Sequence, residues 1–324
     1  MTLHRFTIIM VRMESKGRFV GYILGIVAAA AYGMNPLFAL PLYESGMNPD
    51  SVLFFRYLFA IPLMGVMLVA RGRGFRLTVK ECILLAVLGL TVAVSSLSLF
   101  MSYNYMEASI ASTLLFVYPI MVAVIMAVAY RERLSWVTLA SMVLALGGIA
   151  MLYRGGDGAS LSMAGTVLVF VSSLSYAAYI VAVNKSRLSR VATLKVTFYI
   201  LLFGLMLFSV RICTVEELVV PDMSDWYIWF NLAALAAVPT ALSFLCTTAA
   251  IQRIGATPAA ILGAFEPVTA IVFGVTVFGE RLTGRDILGI VMIIVAVSAV
   301  VASGSVMHYI VRLRRLFPRL PKRH

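Results

Sequence analysis

Ten apolar runs of about 20 residues recur along this chain, and they restrict its fold more than any other feature. Each run can cross a hydrocarbon core of about 30 Å as a helix that rises about 1.5 Å per residue. Only 12% of the 324 residues are charged, too few for an ordinary soluble domain. The sequence predicts an all-α membrane protein with ten transmembrane helices, at residues 20–42, 51–70, 81–103, 108–130, 134–153, 161–183, 193–211, 226–250, 257–279 and 286–308.

The basic residues predict the orientation of these spans. Lys and Arg concentrate in alternate segments, such as 71–80, 185–195 and the tail 312–323, whereas acidic residues concentrate in 212–225. Because cytoplasmic loops carry the excess of Lys and Arg, we expect both termini to be cytoplasmic. The net charge of +12 is then explained by the bilayer, and no nucleic-acid partner is expected.

The two halves of the sequence resemble each other. A shift of 148 residues aligns ASIASTLLFVYPIMVAVIMAVAYRERLS with ATPAAILGAFEPVTAIVFGVTVFGERLT, and a shift of 144 aligns Gly21 with Gly165 and Tyr32 with Tyr176. Each half holds five spans, and since five is odd, equivalent spans cross the membrane in opposite directions. We therefore predict two inverted five-helix repeats, an architecture typical of secondary transporters.

The predicted repeats set the domain boundaries. The first repeat covers residues 20–153 and the second covers 161–308. A short cytoplasmic segment, 1–19, precedes them, and a basic cytoplasmic tail, 309–324, follows them.

The two aligned blocks also carry a family resemblance. AAIQRIGATPAAILGAFEPVTAIVFGVTVFGERLT and MSYNYMEASIASTLLFVYPIMVAVIMAVAYRERLS resemble the signature blocks of the EamA family in the drug/metabolite transporter superfamily. The resemblance implies a bacterial inner-membrane carrier that moves a metabolite, amino acid or drug-like compound, commonly as an exporter. One departure from symmetry is that the first half has Tyr118 where the second has Glu266, which leaves one acid at the pseudo-symmetric centre.

Glu266 is the main candidate for substrate binding or coupling. An ionised carboxylate at a helix centre costs about 2.5–3.5 kcal/mol unless it faces protein or water. Small residues such as Ala259 and Gly263 lie on its helical face, which predicts that Glu266 points inward. It either binds a substrate amine or a proton, or it hydrogen-bonds neighbouring helices. Pro267 and its counterpart Pro119 predict matched kinks that serve as hinges.

Arg56, about five residues into the second span, has two interpretations. It either snorkels to the outer surface or pairs with Asp50 or Glu44, or else it forms an outer gate or a carboxylate-binding site.

Further candidates are hydroxyl and aromatic residues on helix faces. Thr91, Ser95, Ser98 and Ser102 form one stripe on the third span, and Ser243 is the repeat counterpart of Ser95. The stripe either lines a cavity or bonds its own backbone. The other candidates either line the cavity or pack between helices: Tyr32, Asn35, Tyr118, Tyr176 and Tyr179.

Several functions are excluded or disfavoured by what the sequence lacks. It has no GxxxxGK[ST] phosphate loop for an ATP-driven pump and no HExxH motif. Its three cysteines lie far apart and its histidines lie near chain or span ends, so we expect no metal, no cofactor and no enzymatic activity. We predict a secondary active transporter of a small molecule, with proton coupling left open, as a monomer or homodimer. A passive channel is the alternative.

Overall fold

The structure, a computed structural model, describes residues 19–131, 134, 136–152, 162–254, 259 and 262–299, and its regular elements are all helical. We number the main helices in chain order. They are α1 (Phe19–Glu44), α2 (Pro49–Ala70), α3 (Val79–Ser102), α4 (Ala108–Tyr130), α5 (Trp136–Leu152), α6 (Met163–Lys185), α7 (Thr193–Thr214), α8 (Trp226–Ala236, continuing to Ser243–Ile254), α9 (Phe265–Thr276) and α10 (284–299). A 3-10 turn, Arg187–Arg190, lies between α6 and α7.

Seven of these helices, α1 to α4 and α6 to α8, are long and apolar enough to span a membrane. The described parts of α5, α9 and α10 are shorter. The all-α prediction is confirmed, whereas ten spans remain a prediction. The predicted boundary between repeats, 153–161, lies outside the described residues, as do the tail 309–324 and the segment 1–19 apart from Phe19.

Local sequence signals explain where α2 and α3 begin. Asn48 accepts a hydrogen bond from the Ser51 amide at 2.8 Å, and Pro49 occupies the first turn, where a helix needs no amide proton from it. Thr78 and Glu81 form a capping box at the start of α3. These caps satisfy amide groups that the helix itself leaves unpaired.

The two predicted proline kinks are present at equivalent places. The helical hydrogen bonding of α4 breaks at Phe116 and Val117, and a new segment, Tyr118–Tyr130, contains Pro119 near its start. Helix α9 begins at Phe265 after a turn at residues 263–264 and contains Pro267. A proline lacks the amide donor and crowds the preceding turn, so each helix restarts just before its proline.

Two further breaks accompany prolines at which the sequence analysis predicted no kink. Helix α1 has a turn at Met34, two residues before Pro36. Helix α8 has a π-helical stretch, Ala237–Leu242, that contains Pro239. Helices α1, α4 and α8 are therefore irregular near their middles and a turn directly precedes α9, which frees backbone groups deep in the bundle.

Helix α3 lies at the centre of the bundle, packed against α6 and α7, while α2 packs against α7 and α9 packs against the first half of α4. Close approaches of α1 to the second half of the chain depend on glycine. A β-carbon at Gly33 would collide with the carbonyl oxygen of Glu266, so only glycine permits this contact between α1 and α9. The glycine thereby places α1 directly beside the Glu266 backbone.

Residues related by the sequence repeat make equivalent contacts. Gly21 on α1 lies against Arg253 and Ile254. Its counterpart Gly165 on α6 lies against Tyr105 and Met106, which precede Arg253 and Ile254 by 148 residues. The beginning of each repeat thus contacts the same region of the other repeat.

Candidate functional site

A cavity of about 350 Å³ lies among the helices at the level of their breaks. Helices α1 to α4 and α6 to α9 contribute to its wall. Eight of the nine predicted binding or coupling residues line it: Tyr32, Arg56, Ser95, Tyr118, Tyr176, Tyr179, Ser243 and Glu266. Side chains that are far apart in sequence therefore converge on one site.

Glu266 lies on the cavity wall one residue after the start of α9. The opposite face of α9 carries Val268, Val272 and Val275, all more than 40% exposed on the outside of the bundle. This arrangement agrees with the predicted inward orientation of Glu266. Its carboxylate forms no hydrogen bond or ion pair with any described residue, so the interpretation in which it hydrogen-bonds neighbouring helices receives no support.

Tyrosine rings form one side of the cavity. The rings of Tyr118 and Tyr176 meet edge to face with centroids 4.9 Å apart, and the centroids of Tyr176 and Tyr179 are 5.8 Å apart. Tyr32 also lines the cavity. Tyr118, Tyr176 and Tyr179 pack against one another and also line the cavity, while a role of these tyrosines in binding stays a prediction.

Arg56 is only 6% exposed, and it does not snorkel to the surface. Its Nε donates a hydrogen bond to Thr240 Oγ1 at 3.1 Å, and its guanidinium carbon lies 5.3 Å from the centroid of the Phe100 ring. The predicted pairing with Asp50 is wrong, because Asp50 accepts two hydrogen bonds from Arg211 at 2.6 and 3.1 Å. Arg56 lines the cavity, and its role as an outer gate or carboxylate-binding site stays a prediction.

The hydroxyl stripe on α3 does not line the cavity as a whole. Thr91 bonds the carbonyl of Val87 and Ser102 bonds that of Leu99, as hydroxyls in membrane helices commonly do. Of the four stripe residues only Ser95 belongs to the cavity wall.

Ser95 and its repeat counterpart Ser243 make equivalent contacts between helices. Ser95 Oγ lies 2.9 Å from the carbonyl oxygen of Ser172 on α6, and Ser172 Oγ donates to the carbonyl of Ser95 at 2.7 Å. Ser243 Oγ donates to the carbonyl of Ala28 on α1 at 2.9 Å. Ala28 precedes Ser172 by 144 residues, so both contacts follow the sequence repeat.

Asn35 is the one predicted binding residue that does not line the cavity. Its Nδ2 donates to the carbonyl of Tyr32 at 2.8 Å, at the break in α1. The helical-face argument placed Asn35 beside Tyr32, but it assumed an unbroken helix. The turn at Met34 changes that face, and Asn35 instead satisfies a freed carbonyl group.

Sequence reasoning left several polar residues of the cavity out of the predicted site, and two of them bear on its geometry. Tyr57 lines it, with its hydroxyl 2.9 Å from Ser96 Oγ, and Thr240 holds Arg56. Thr240 directly follows Pro239, so a polar residue beside a proline inside a span, the signal that identified Glu266, would have found it. No local signal distinguishes Tyr57 from its neighbours on α2.

No cluster of three or more metal-ligating His, Cys, Asp or Glu side chains occurs in the described part of the chain. Among the described residues, the cavity wall combines one cation, one carboxylate, hydroxyl groups and aromatic rings. Such a wall can bind a small polar solute through charge, hydrogen bonds and aromatic contacts.

Comparisons with known proteins agree with this description. The sequence model of the EamA-like transporter family matches residues 19–154 and 163–302. The chain is 26% identical over 278 residues to the uncharacterized transporter YcbK of Bacillus subtilis (strain 168), covering 83% of this chain and 88% of that protein.

A solved crystal structure shares the fold with a TM-score of 0.62 at 16% identity, over 90% of this chain and 99% of the other. At that identity, the likeness concerns the fold alone. Apolar helices, the family match and the transporter relative together identify a multi-pass membrane protein that transports small solutes. The chain belongs to the EamA-like transporter family of the drug/metabolite transporter superfamily.

Proposed function

We propose that this protein is a secondary active transporter that works by alternating access and exports a small metabolite, amino acid or drug-like compound across the bacterial inner membrane. The observation that carries the proposal is the position of the unpaired Glu266 carboxylate, on the wall of a cavity bounded by broken helices from both halves of the chain. Discontinuous helices around a midplane site are typical of secondary transporters.

Repeat-related contacts support the alternating mechanism. Gly21 and Gly165 contact equivalent regions, and Ser95 and Ser243 make equivalent hydrogen bonds. The family model also matches the two halves separately. Two similar halves of opposite orientation can exchange conformations, and this exchange opens the cavity to one side and then to the other. The breaks before Pro119 and Pro267 are the proposed hinges.

Glu266 is the proposed coupling residue. A carboxylate that is removed from water and lacks an ion-pair partner is costly in its ionised form. A proton or a cationic substrate group lowers that cost, and the two compete for the same oxygens. Binding of one therefore promotes release of the other, which links transport to a proton gradient.

Flux measurements in proteoliposomes test the proposed mechanism against a channel. The purified protein is reconstituted and loaded with members of a panel of radiolabelled amino acids and small metabolites. A transporter gives a saturable rate and accelerated counterflow when unlabelled substrate is present on the opposite side, because each cycle carries bound substrate. A flux that rises linearly with concentration and shows no counterflow would favour a channel.

A further inference from the structure

The wall of the cavity carries two side chains of opposite charge that do not pair with each other. Arg56 comes from α2 in the first half, and Glu266 comes from α9 in the second half. Neither has an ion-pair partner among the described residues. The remaining side chains that line the cavity in the described part of the chain are uncharged.

Arg56 is arranged to receive an anionic group. Its Nε is occupied by Thr240 Oγ1, and Phe100 covers the guanidinium at 5.3 Å. A guanidinium has five N–H donors, so four remain on the two terminal nitrogens. None of these four donates to a described residue. Two parallel N–H groups of this kind match the geometry of a carboxylate.

Glu266 is arranged to receive a cationic group. Its carboxylate is an acceptor without a donor among the described residues, and it shares the cavity wall with the rings of Tyr32, Tyr118 and Tyr176. Aromatic faces attract cations, and they do so most strongly away from water. A carboxylate beside several tyrosines therefore provides both charge and ring surface for an ammonium group.

We propose that the cavity selects zwitterions, with the substrate's ammonium at Glu266 and its carboxylate at Arg56. The inference rests on the proposed transport function and names the substrate class of the same site. A singly charged ligand would satisfy one of these residues and leave the other without a partner in a site of low polarity. A zwitterion whose two charges span the separation of these side chains satisfies both residues at once, which is the physical basis of the selection.

Equilibrium binding to the purified protein in detergent tests this assignment with two matched sets of probes. One set is leucine, isoamylamine and 4-methylpentanoate, and the other is phenylalanine, phenethylamine and 3-phenylpropionate. Within each set the side chain stays the same, while the second and third probes each lack one charged group. We expect the zwitterion of at least one set to bind roughly 10-fold or more tightly than either of its relatives, measured by calorimetry.

Two variants test the proposed ammonium position and the proposed carboxylate position separately. Glu266→Gln should weaken binding of the zwitterion and the amine roughly 10- to 100-fold and leave the acid unchanged. Arg56→Gln should weaken the zwitterion and the acid and leave the amine unchanged. Glu217→Gln and Arg73→Gln remove the same charges from exposed loops and serve as matched controls.

Arg56→Lys and Thr240→Val distinguish ligand binding by the charge of Arg56 from a structural role of this residue. If Arg56→Gln does not fold, Arg56→Lys keeps the positive charge and should retain partial affinity for the acid. Thr240→Val removes the partner of Nε and keeps the guanidinium, so binding of the acid should change much less than in Arg56→Gln. Equal losses in Thr240→Val and Arg56→Gln would assign Arg56 a structural role.

The assignment is overturned if singly charged probes bind as tightly as the zwitterions, or if none of the six probes binds. Binding in detergent requires no membrane and no flux. A protein that binds zwitterions and shows no counterflow would contradict the proposed transport function alone. A protein that transports solutes lacking one of the two charges equally well would contradict this assignment alone.

Discussion

At the scale of single residues, burial determines what the cavity can do. Arg56 would be an unremarkable surface residue if it lay at a helix end, but at 6% exposure its guanidinium is held by Thr240 and Phe100. Glu266 differs because no described residue neutralises it. Glu266 is half-buried on the cavity wall, and a carboxylate without a partner inside a bundle is costly, so a site that keeps one is arranged for a ligand or a proton.

Replacement of Glu266 by Gln removes its charge and its titration while keeping its shape. We expect the Glu266→Gln variant to reach the membrane but to lose the pH dependence of transport, because a glutamine cannot exchange a proton for substrate. Initial rates in proteoliposomes at several pH values check this, with Glu217→Gln as the control. A wild-type pH profile in Glu266→Gln would assign the coupling to another residue.

The residues also show how far sequence reasoning extends. Periodicity placed Glu266 on an inward face, because the neighbours of a helical residue are determined by local geometry. The partners of Arg56 and Asp50 were not predictable in this way. Thr240 is 184 residues from Arg56, and Arg211 is 161 residues from Asp50. Such pairs depend on how helices are arranged, which a pattern within one span does not specify.

At the scale of elements, the breaks in α1, α4 and α8 and the break just before α9 say more about the cavity than the lengths of the helices do. All four breaks lie beside prolines, at Pro36, Pro119, Pro239 and Pro267. The sequence predicted the two in the aligned blocks, whereas the grouping of Asn35 with Tyr32 took α1 as continuous, and Asn35 does not line the cavity. A helix break changes the direction of every side chain that follows it. A prediction that overlooks the break therefore assigns those side chains to the wrong face of the helix.

The two matched prolines should control the rate of transport more than substrate affinity. In Pro119→Ala and Pro267→Ala, the helix can continue through the break, which stabilises one conformation against the exchange between conformations. We expect turnover to fall several-fold while equilibrium binding changes less than twofold. Counterflow rates and calorimetry on the same preparations provide the two measurements. Unchanged turnover in both variants would reduce these prolines to packing residues.

At the scale of the whole molecule, the two halves of the chain share one cavity. The charge that we assign to substrate carboxylates comes from the first half, and the charge that we assign to ammonium groups comes from the second. A relative movement of the halves would therefore change the separation of the two charges. The affinity for a zwitterion would then differ between the two conformations of the cycle.

The proposed orientation places the loop at 71–80 in the cytoplasm and the loop at 212–225 outside. Single cysteines at Gly72 and Met223, in a background without Cys82, Cys213 and Cys246, test this placement. Met223 is 82% exposed, and a β-carbon at Gly72 meets no neighbouring atom, although its φ of 64° strains a cysteine placed there. An impermeant thiol reagent applied to intact cells should label position 223 and spare position 72. The reverse pattern would invert the orientation, including the cytoplasmic placement of both termini.

The hydroxyl contacts in the two halves are unequal, and this inequality affects which conformation the transporter adopts without substrate. Ser95 and Ser172 exchange bonds in both directions, whereas Ala28 cannot return the bond from Ser243. In the proposed orientation the first contact lies nearer the outer face and the second nearer the cytoplasm. If opening each face breaks its own contact, opening outward costs about 1 kcal/mol more.

An idle transporter should therefore rest open to the cytoplasm, which is the side from which an exporter collects its substrate. Ala28→Ser would supply the missing hydroxyl and even out the two resting populations. A cysteine at Thr247, on the cavity wall, would report the change through its labelling rates in inside-out and right-side-out vesicles. Equal rates from both faces before the substitution would show that the resting molecule has no preferred side. Unequal rates that become equal in Ala28→Ser would mean that a missing oxygen on one alanine sets the direction in which the empty molecule faces.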